Sequence, residues 1–560
     1  MDKKTAYSLR ERALFLFSPE RAQKAYAQRL RRESGPEGGA KKRARMAASG
    51  YGAHAASTTI NSMLGYNAGG GSAEDDIDLH GAILRARSRD LFDAGGLARS
   101  GPMTLKTNVV GWGIQPKPKI DGEALGLTEE ARDEWERNTL REFKLWAENP
   151  MCDAERQQNF YGLQQLAFLS ELVSGDVFVL FGMKENRRTP YTTTIRLIEA
   201  DRVSTPESTE GESESRETDG GGRIVDGVEI NAEGEVIRYH FTSRHPLLEN
   251  ASDSVEWTAI DAFGGDTGYP NVLHIMTVER PEQRRGVPFV AAQIEQIKQL
   301  DRYLTSELAA NVVSAMLTAF VVTDDDDTTG LEDAVNEEDK ITDDEMQLEL
   351  APGAIYSLPK GKKVQEINPL RNNSAFANFV ETMETIIGAS MGIPKEVLVK
   401  KYESNYTAAR GALLDFWREV RVRRTAFVES FCQPIYEQWL AEAVAAGRVE
   451  APGFFDDPAI RQAWCGCMWM GASMGHVDPL KEANAATIRI ANNITTQEQE
   501  ASEYNGNDWL ANVRQRKKEL AALSGGDAAD GGQKAKAAGK DDKQDAKKDD
   551  GKDKGGKKDG

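Results

Sequence analysis

Cysteine is scarce in this chain: only Cys152, Cys432, Cys465 and Cys467 occur among 560 residues. Four such residues, two of them adjacent but one, cannot make the disulfide framework of a small secreted protein, so a reducing compartment is the simpler expectation. Long apolar runs are missing as well. No stretch reaches the roughly 18 residues that a membrane span requires. The one compact apolar run in the basic first 45 residues, Leu14-Phe15-Leu16-Phe17, is too short for a signal-peptide core, so the expectation is a soluble, unexported chain with no membrane partner. An excess of positive charge is lacking too, with 70 Lys and Arg against 89 Asp and Glu and a formal charge of -19. That balance argues against gripping nucleic acid over the whole surface, because tight phosphate binding needs many cationic contacts. It leaves a passing duplex allowed.

The usual catalytic patterns are absent. No Gly-x4-Gly-Lys-Ser/Thr loop occurs; Gly353 to Lys362 has glycines and lysines at the wrong spacing, so ATP hydrolysis is not expected. The six histidines lie far apart, and no Gly-x-Ser-x-Gly elbow accompanies them. Cys465-Gly466-Cys467 with His476 suggests zinc, but no second cysteine pair follows, and the segment reads better as a packed apolar turn. The run Asp324 to Asp327 offers hard oxygen ligands without the glycine and distal glutamate of a calcium loop, and reads as a solvated acidic loop. The expectation is no catalytic residue, no metal and no cofactor.

What is present is a chain long enough for two to four packed units. Residues 1–75 form a basic arm rich in Gly, Ser and Ala, with one amphipathic helix near Arg10 to Arg31. Helical spacing starts near Asp76, and Val109 to Ile114 reads as a short extended stretch ended by Pro116 and Pro118. Helices are expected over Thr128 to Ala147 and Asn159 to Leu172. Strands are expected at Asp176 to Phe181, Thr193 to Ile198, Gly227 to Ile230, Val236 to Phe241 and Val272 to Met276, with a solvated loop from Thr205 to Gly222. This portion reads as an α+β unit.

Beyond Pro288, the residues Val290, Ile294, Ile297, Leu304, Leu308, Val312 and Met316 recur at helical steps, a stripe on a strut of roughly 40 Å. An acidic insertion from Asp324 to Glu345 and short strands at Gly353 to Leu358 and Lys363 to Ile367 come next. A second helix is expected over Ala375 to Met391, up to the breaker Gly392-Ile393-Pro394. A third runs from Thr407 to Pro434, with helical pattern resuming through Ala446, then over Pro479 to Asn492 and Thr495 to Leu520. From Gly525 the Lys, Asp, Gly and Ala tail has too little apolar surface to order.

The order of parts resembles the lambda-type portal proteins of tailed bacteriophages. The likeness is carried by Asn108-Val109-Val110-Gly111-Trp112-Gly113, Glu199-Ala200-Asp201-Arg202 and His274 to Pro288, whose Arg280-Pro281-Glu282-Gln283-Arg284-Arg285-Gly286-Val287-Pro288 is the most specific. Pro352-Gly353-Ala354-Ile355, Leu358-Pro359-Lys360-Gly361, Gly392-Ile393-Pro394 and Ser404-Asn405-Tyr406-Thr407-Ala408-Ala409-Arg410 complete it. The tail and the length of the acidic insertion depart from the family's pattern.

The resemblance implies a structural protein forming a ring of about twelve copies, with wing, stem, clip and crown. On that pattern residues 76–286 give the wing, 287–318 the first stem helix, 319–369 the clip with its acidic insertion, 370–393 the second stem helix, 394–412 the tunnel-loop region, 413–524 wing and crown helices, and 525–560 the tail. The implied partners are further copies of the chain, double-stranded DNA held without sequence reading, the terminase large subunit, the major capsid and scaffold proteins, and the head-completion adaptor. The implied location is the unique vertex of the virion, with assembly in the host cytoplasm. Two long amphipathic helices joined by a small polar module fit this independently, since their stripes need neighbouring copies for cover and heterologous rings leave a hole on the axis.

Lys395, Lys400, Lys401 and Arg410 fall in the implied tunnel-loop region and are candidates to touch the DNA backbone. Arg418, Arg421, Arg423 and Arg424 cluster on one helix and are candidates either for ion pairs with a neighbouring subunit or for DNA contact. The competing readings are a capsid- or scaffold-type structural protein and a packaging-motor component. The first predicts closed shells or filaments, the second nucleotide turnover.

Overall fold

The computed structural model describes residues 70–206, 215–218, 221–245, 255–315, 319–321, 355–357, 375–402, 406–474, 479–505 and 509–525. The basic arm up to residue 69, the acidic insertion, the expected strand Lys363 to Ile367, His476 and the tail after Gly525 lie outside the described residues. The described elements belong to a compact unit that begins at Ala73.

Helices α1 (Ala73–Ala94) and α2 (Gly96–Val109) open it, followed by strand β1 (Gln115–Pro118), α3 (Glu129–Ala147) and α4 (Phe160–Ser174). Local chemistry sets the ends of the last two. The Thr128 hydroxyl accepts from the Ala131 N–H at 3.3 Å ahead of α3, and the Asn159 side chain accepts from the Gly162 N–H at 3.0 Å ahead of α4, each satisfying a donor that the first helical turn leaves open. Eight strands come next: β2 (Asp176–Met183), β3 (Thr193–Glu199), β4 (Ser215–Glu217), β5 (Arg223–Val225), β6 (Val228–Ile230), β7 (Val236–Thr242), β8 (Trp257–Asp261) and β9 (Val272–Met276).

They form a three-stranded antiparallel sheet in the order β3-β2-β9 and a five-stranded antiparallel sheet in the order β4-β5-β6-β7-β8. Strand alternation divides β2 between two cores. Val177 and Val179 join the large helical core, whereas Phe178 turns to the other face with Ile198, Val228, Tyr239 and Phe241. Burial on both faces explains why the run Val177-Phe178-Val179 is apolar without a break. The large core is dense in aromatic rings, with Phe143 and Trp439 edge-on at 4.9 Å and Phe427 stacked on Phe431 at 5.0 Å.

Beyond β9 a single 3-10 turn, Ala291–Gln293, leads into α5 (Ile294–Ala315). Strands β10 (Ala319–Val321) and β11 (Ile355–Ser357) pair in parallel. Helices α6 (Phe376–Ser390), α7 (Lys395–Val399) and α8 (Tyr406–Phe427) come next, then one π-helical turn at Val428–Cys432, α9 (Gln433–Ala445), α10 (Pro458–Trp464) and strand β12 (Cys467–Met470). Three helices end the described chain: α11 (Pro479–Ala491), α12 (Gln497–Asn505) and α13 (Trp509–Gly525).

The α+β expectation holds, and most expected elements fall within a few residues of their bounds; Cys467 opens strand β12 where the sequence implies a packed turn, and three further elements differ. Val109 ends a helix, and the extended segment is β1, with Pro116 and Pro118 inside it. Among the described residues that strand pairs on one side only, against β12, and an edge strand tolerates residues without an N–H. Second, Pro434 does not end the long helix. The π turn just before it admits the extra residue that the missing N–H and the ring require, and the helix resumes. Third, the expected loop from Thr205 to Gly222 contains strand β4.

Candidate functional site: a buried arginine joint and the roots of two long helices

Two of the segments that carry the family likeness, Glu199 to Arg202 and His274 to Pro288, meet at Arg285, which has no exposed side-chain surface. Its Nε donates to Asp176 Oδ2 at 2.7 Å and its Nη2 to Asp176 Oδ1 at 3.3 Å. Its Nη1 donates to the carbonyls of Val203 (2.9 Å) and Asp226 (2.7 Å) and lies 2.9 Å from the Asp226 carboxylate, while Nη2 also donates to the Ala200 carbonyl at 2.8 Å. His274 Nε2 and the Gly286 N–H each come within 3.1 Å of Asp176 Oδ2. Arg85 of α1 joins the same cluster, donating to Asp201 at 2.9 Å and lying 3.5 Å from Asp226, and Arg89 also pairs with Asp201.

Buried charge of this density is tolerable only because each member is paired and hydrogen-bonded. Burial alone would raise the Asp176 carboxyl, but Arg285 and His274 override it and hold it far below the carboxylate range. Burial would likewise lower the Arg285 guanidinium, yet Asp176 and Asp226 hold it above its ordinary value. For His274 burial wins over its hydrogen bond with Asp176, and its pKa is lowered. Electrostatically the cluster is a fixed joint with its charges matched.

The joint sets where α5 starts. Gln283 accepts from the Glu279 and Arg280 N–H groups and donates to the carbonyls of Thr277 and Arg285, folding the loop tightly. Gly286 then crosses Gly175, whose φ of +93° suits glycine and whose added Cβ would stand 2.6 Å from the Gly286 carbonyl oxygen. The Phe289 N–H closes the crossing by donating to the Leu172 carbonyl at 2.9 Å.

The far end of the helix pair returns to the same place. At the foot of α6, Ile387, Met391, Ile393 and Leu398 are buried, and the Ser100 hydroxyl of α2 donates to the Leu398 carbonyl at 2.6 Å. Gly392 turns with φ +67°, and the nearest side chain to it is Glu419 of α8. Glu419 accepts from Arg423 Nε at 2.7 Å, and the Arg423 guanidinium lies 4.9 Å from the Phe289 ring. Thus Arg423 and Glu419 bridge the roots of α5 and α6.

The structure separates the eight basic candidates. Lys395, Lys400 and Lys401 lie together on the short stretch between α6 and α8; Lys395 pairs with Glu381, and Lys400 ends α7 in the left-handed conformation with Lys401 exposed beside it. Arg410 does not join them: its Nη2 donates to Glu482 at 2.8 Å. On α8, Arg418 and Arg421 face outward, Arg418 being 3.8 Å from Asp415. Arg424 faces inward and donates to the carbonyls of Val109 (2.9 Å), Asn108 (2.8 Å) and Ala472 (2.7 Å). It therefore caps the C-terminus of α2, where open carbonyls attract a cation; burial, followed by Arg421, lowers its pKa to about 10.

Asp176 and Asp226 have no role in the sequence reading, and His274 and Arg285 enter it only as parts of a motif. The one signal is a carboxylate opening an apolar strand, which demands a partner without saying which.

Residues 59–424 match the sequence profile described as phage portal protein, lambda family. Portal protein B of Escherichia phage lambda is 22% identical over 485 residues, covering 81% of this chain and 88% of that protein. The portal protein of Escherichia phage N15 is 23% identical over 489 residues, covering 81% and 89%. Two solved structures are also similar. A chain from the virion of a native gene transfer agent particle matches at 11% identity with a TM-score of 0.38, covering 75% of this chain and 92% of that one. A chain from the neck of the empty particle, computed with C6 symmetry, matches at 14% identity with a TM-score of 0.38, covering 73% and 99%. Scores of that size carry no structural conclusion. The profile spans well over half of the sequence, and its boundaries enclose the arginine joint and both helix roots: the chain belongs to the lambda family of phage portal proteins.

Proposed function

We propose that copies of this chain, about twelve in number, close into a ring whose axis is the duct for double-stranded DNA during packaging and ejection. The observation that carries this reading is an uncovered apolar stripe. Leu304, Leu308 and Val312 of α5 are 38%, 65% and 45% exposed, and Phe379 and Ile386 of α6 are 45% and 53% exposed. These two helices do meet each other, Tyr303 lying 4.8 Å from Phe379, yet the outer stripe has no cover among the described residues. An exposed row of large aliphatic side chains on a rooted helix pair fits burial against a neighbouring copy.

On this reading α5 and α6 form the stem, the module between them the clip, the sheets and α1 to α4 the wing, and the chain after Pro394 the tunnel loop, wing helices and crown. Lys400 and Lys401 brush passing phosphates without reading bases, and Arg418 and Arg421 pair with acidic side chains of the next copy. The terminase, the capsid and scaffold proteins and the head-completion adaptor dock on the finished ring, and assembly takes place in the host cytoplasm. The role is structural and needs no turnover by this chain.

Imaging of the purified protein by negative-stain microscopy tests the proposal. Discrete annular particles are expected, with Leu308→Asp giving soluble, folded monomers instead. Monomers from the parent chain under all assembly conditions would overturn it, and so would steady ATP hydrolysis.

A further inference from the structure

None of the described side chains from Leu480 to Leu523 is buried, although the segment carries large apolar residues such as Leu480 and Ile494, 75% and 71% exposed. By contrast α9, a helix of 13 residues, buries Ile435, Tyr436, Trp439, Leu440 and Ala443. Among the described residues, α11 to α13 add no side chain to the core.

Polar links between described residues fasten α11 and α12 to the body at separated points. Arg410 of α8 donates to Glu482 of α11 at 2.8 Å, Lys117 of β1 pairs with Glu498 of α12, and the Ser473 hydroxyl donates to the Tyr504 carbonyl at 2.8 Å. A fourth contact is internal: Arg489 grips Glu500 with two bonds of 2.7 and 2.8 Å, clipping α11 to α12 as one piece. Both ion pairs to the body are partly open to solvent, with side-chain exposures of 36% and 23% for Arg410 and Glu482 and of 18% and 46% for Lys117 and Glu498. Pairs of this kind are weak one by one and are screened by salt.

We infer that α11 and α12 form an electrostatically latched arm: a unit that swings off the body when the Arg410–Glu482 and Lys117–Glu498 pairs are screened or broken, while the core keeps its structure. Lifting a segment with no fully buried side chain among its described residues opens no core cavity, so its release is local and not a step of global unfolding.

Hydrogen–deuterium exchange read by mass spectrometry on the full chain tests this, with particle size followed in the same buffers. Raising salt from low levels to about 1 M should speed exchange over residues 479–505 roughly five- to tenfold and leave α4 and β2 unchanged. The double variant Glu482→Lys/Glu498→Lys should show the fast exchange already at low salt, and adding Lys117→Glu and Arg410→Glu to it should restore protection. Salt-independent protection of residues 479–505 overturns the latch. Exchange that rises equally in α4 and β2, or only when assembled particles fall apart, does the same.

Discussion

Asp176 and Arg285 stand 109 residues apart in the sequence and meet side by side through contacts of 2.7 and 3.3 Å, both side chains fully removed from solvent. One lies at the start of a strand and the other in the last loop before a long helix, so their pairing fixes the direction in which α5 leaves the body. The same guanidinium binds the carbonyls of Ala200, Val203 and Asp226, tying two further segments, the turn at Ala200 to Val203 and the one at Asp226, to that point.

Removing the guanidinium takes the cationic partner from the buried Asp176 and leaves Asp226 with Arg85 alone. Arg285→Met is therefore expected to destabilise the chain by about 3–5 kcal/mol, read from the urea midpoint of unfolding. Arg285→Lys keeps the charge but loses the fork that reaches several acceptors at once, and should fall between. A midpoint for Arg285→Met equal to the parent's would show that the joint is dispensable.

Acid should weaken the joint in two windows. His274 and Asp176 both bind protons less readily in the folded chain than in the unfolded one, so the unfolded chain takes them up first as pH falls. The His274 contribution is complete above its unfolded value of about 6.5 and fades below it; that of Asp176 is complete above about 3.9 and fades below that. Urea midpoints from pH 8 to pH 3 should drop in both ranges, and His274→Gln should remove the upper drop alone. An upper drop unchanged in His274→Gln would assign it elsewhere.

The glycine crossing at Gly175 and Gly286 has no room for a methyl group. Gly175→Ala meets the Gly286 backbone and also requires φ +93° of an alanine, so a loss of at least about 2 kcal/mol is expected. Gly234→Ala makes a useful comparison, having φ +87° but only the Arg284 side chain nearby at 3.3 Å. Thermal melts should show the larger fall for Gly175→Ala, and equal falls would mean that backbone conformation and not the crossing dominates.

The arginines of α8 should divide by face. Arg418→Glu with Arg421→Glu changes two exposed side chains, so the melting temperature is expected to stay within a few degrees of the parent's while ring assembly drops. Arg424→Ala strips the α2 carbonyls of their cation and should lower stability by about 1–3 kcal/mol. Size-exclusion chromatography beside thermal melts separates the two, and normal rings from the double variant would remove Arg418 and Arg421 from the proposed interface.

Several elements can be read directly in the amino-acid order. The run Asp176 to Phe181 bounded by Gly175, the alternation across Val236 to Phe241 and the period of α5 are local patterns, because strand and helix repeats lie within a few neighbouring residues. The π turn at Val428–Cys432 is not visible in that way: Pro434 signals a break, and whether a helix stops or bulges there depends on what packs around it. Burial of Phe427, Phe431 and Trp439 in one aromatic core favours carrying on.

The α+β order of parts, the family motifs, the absence of membrane-spanning runs and the apolar stripe of α5 are written in residues that lie close together along the chain. It took folding in three dimensions to bring Arg285 to Asp176 and Asp226, to turn Arg424 inward while Arg421 points out, and to give Arg410 to Glu482. A buried charge requires an opposite one, but the partner can come from a hundred positions away, and no local period records which residue it will be.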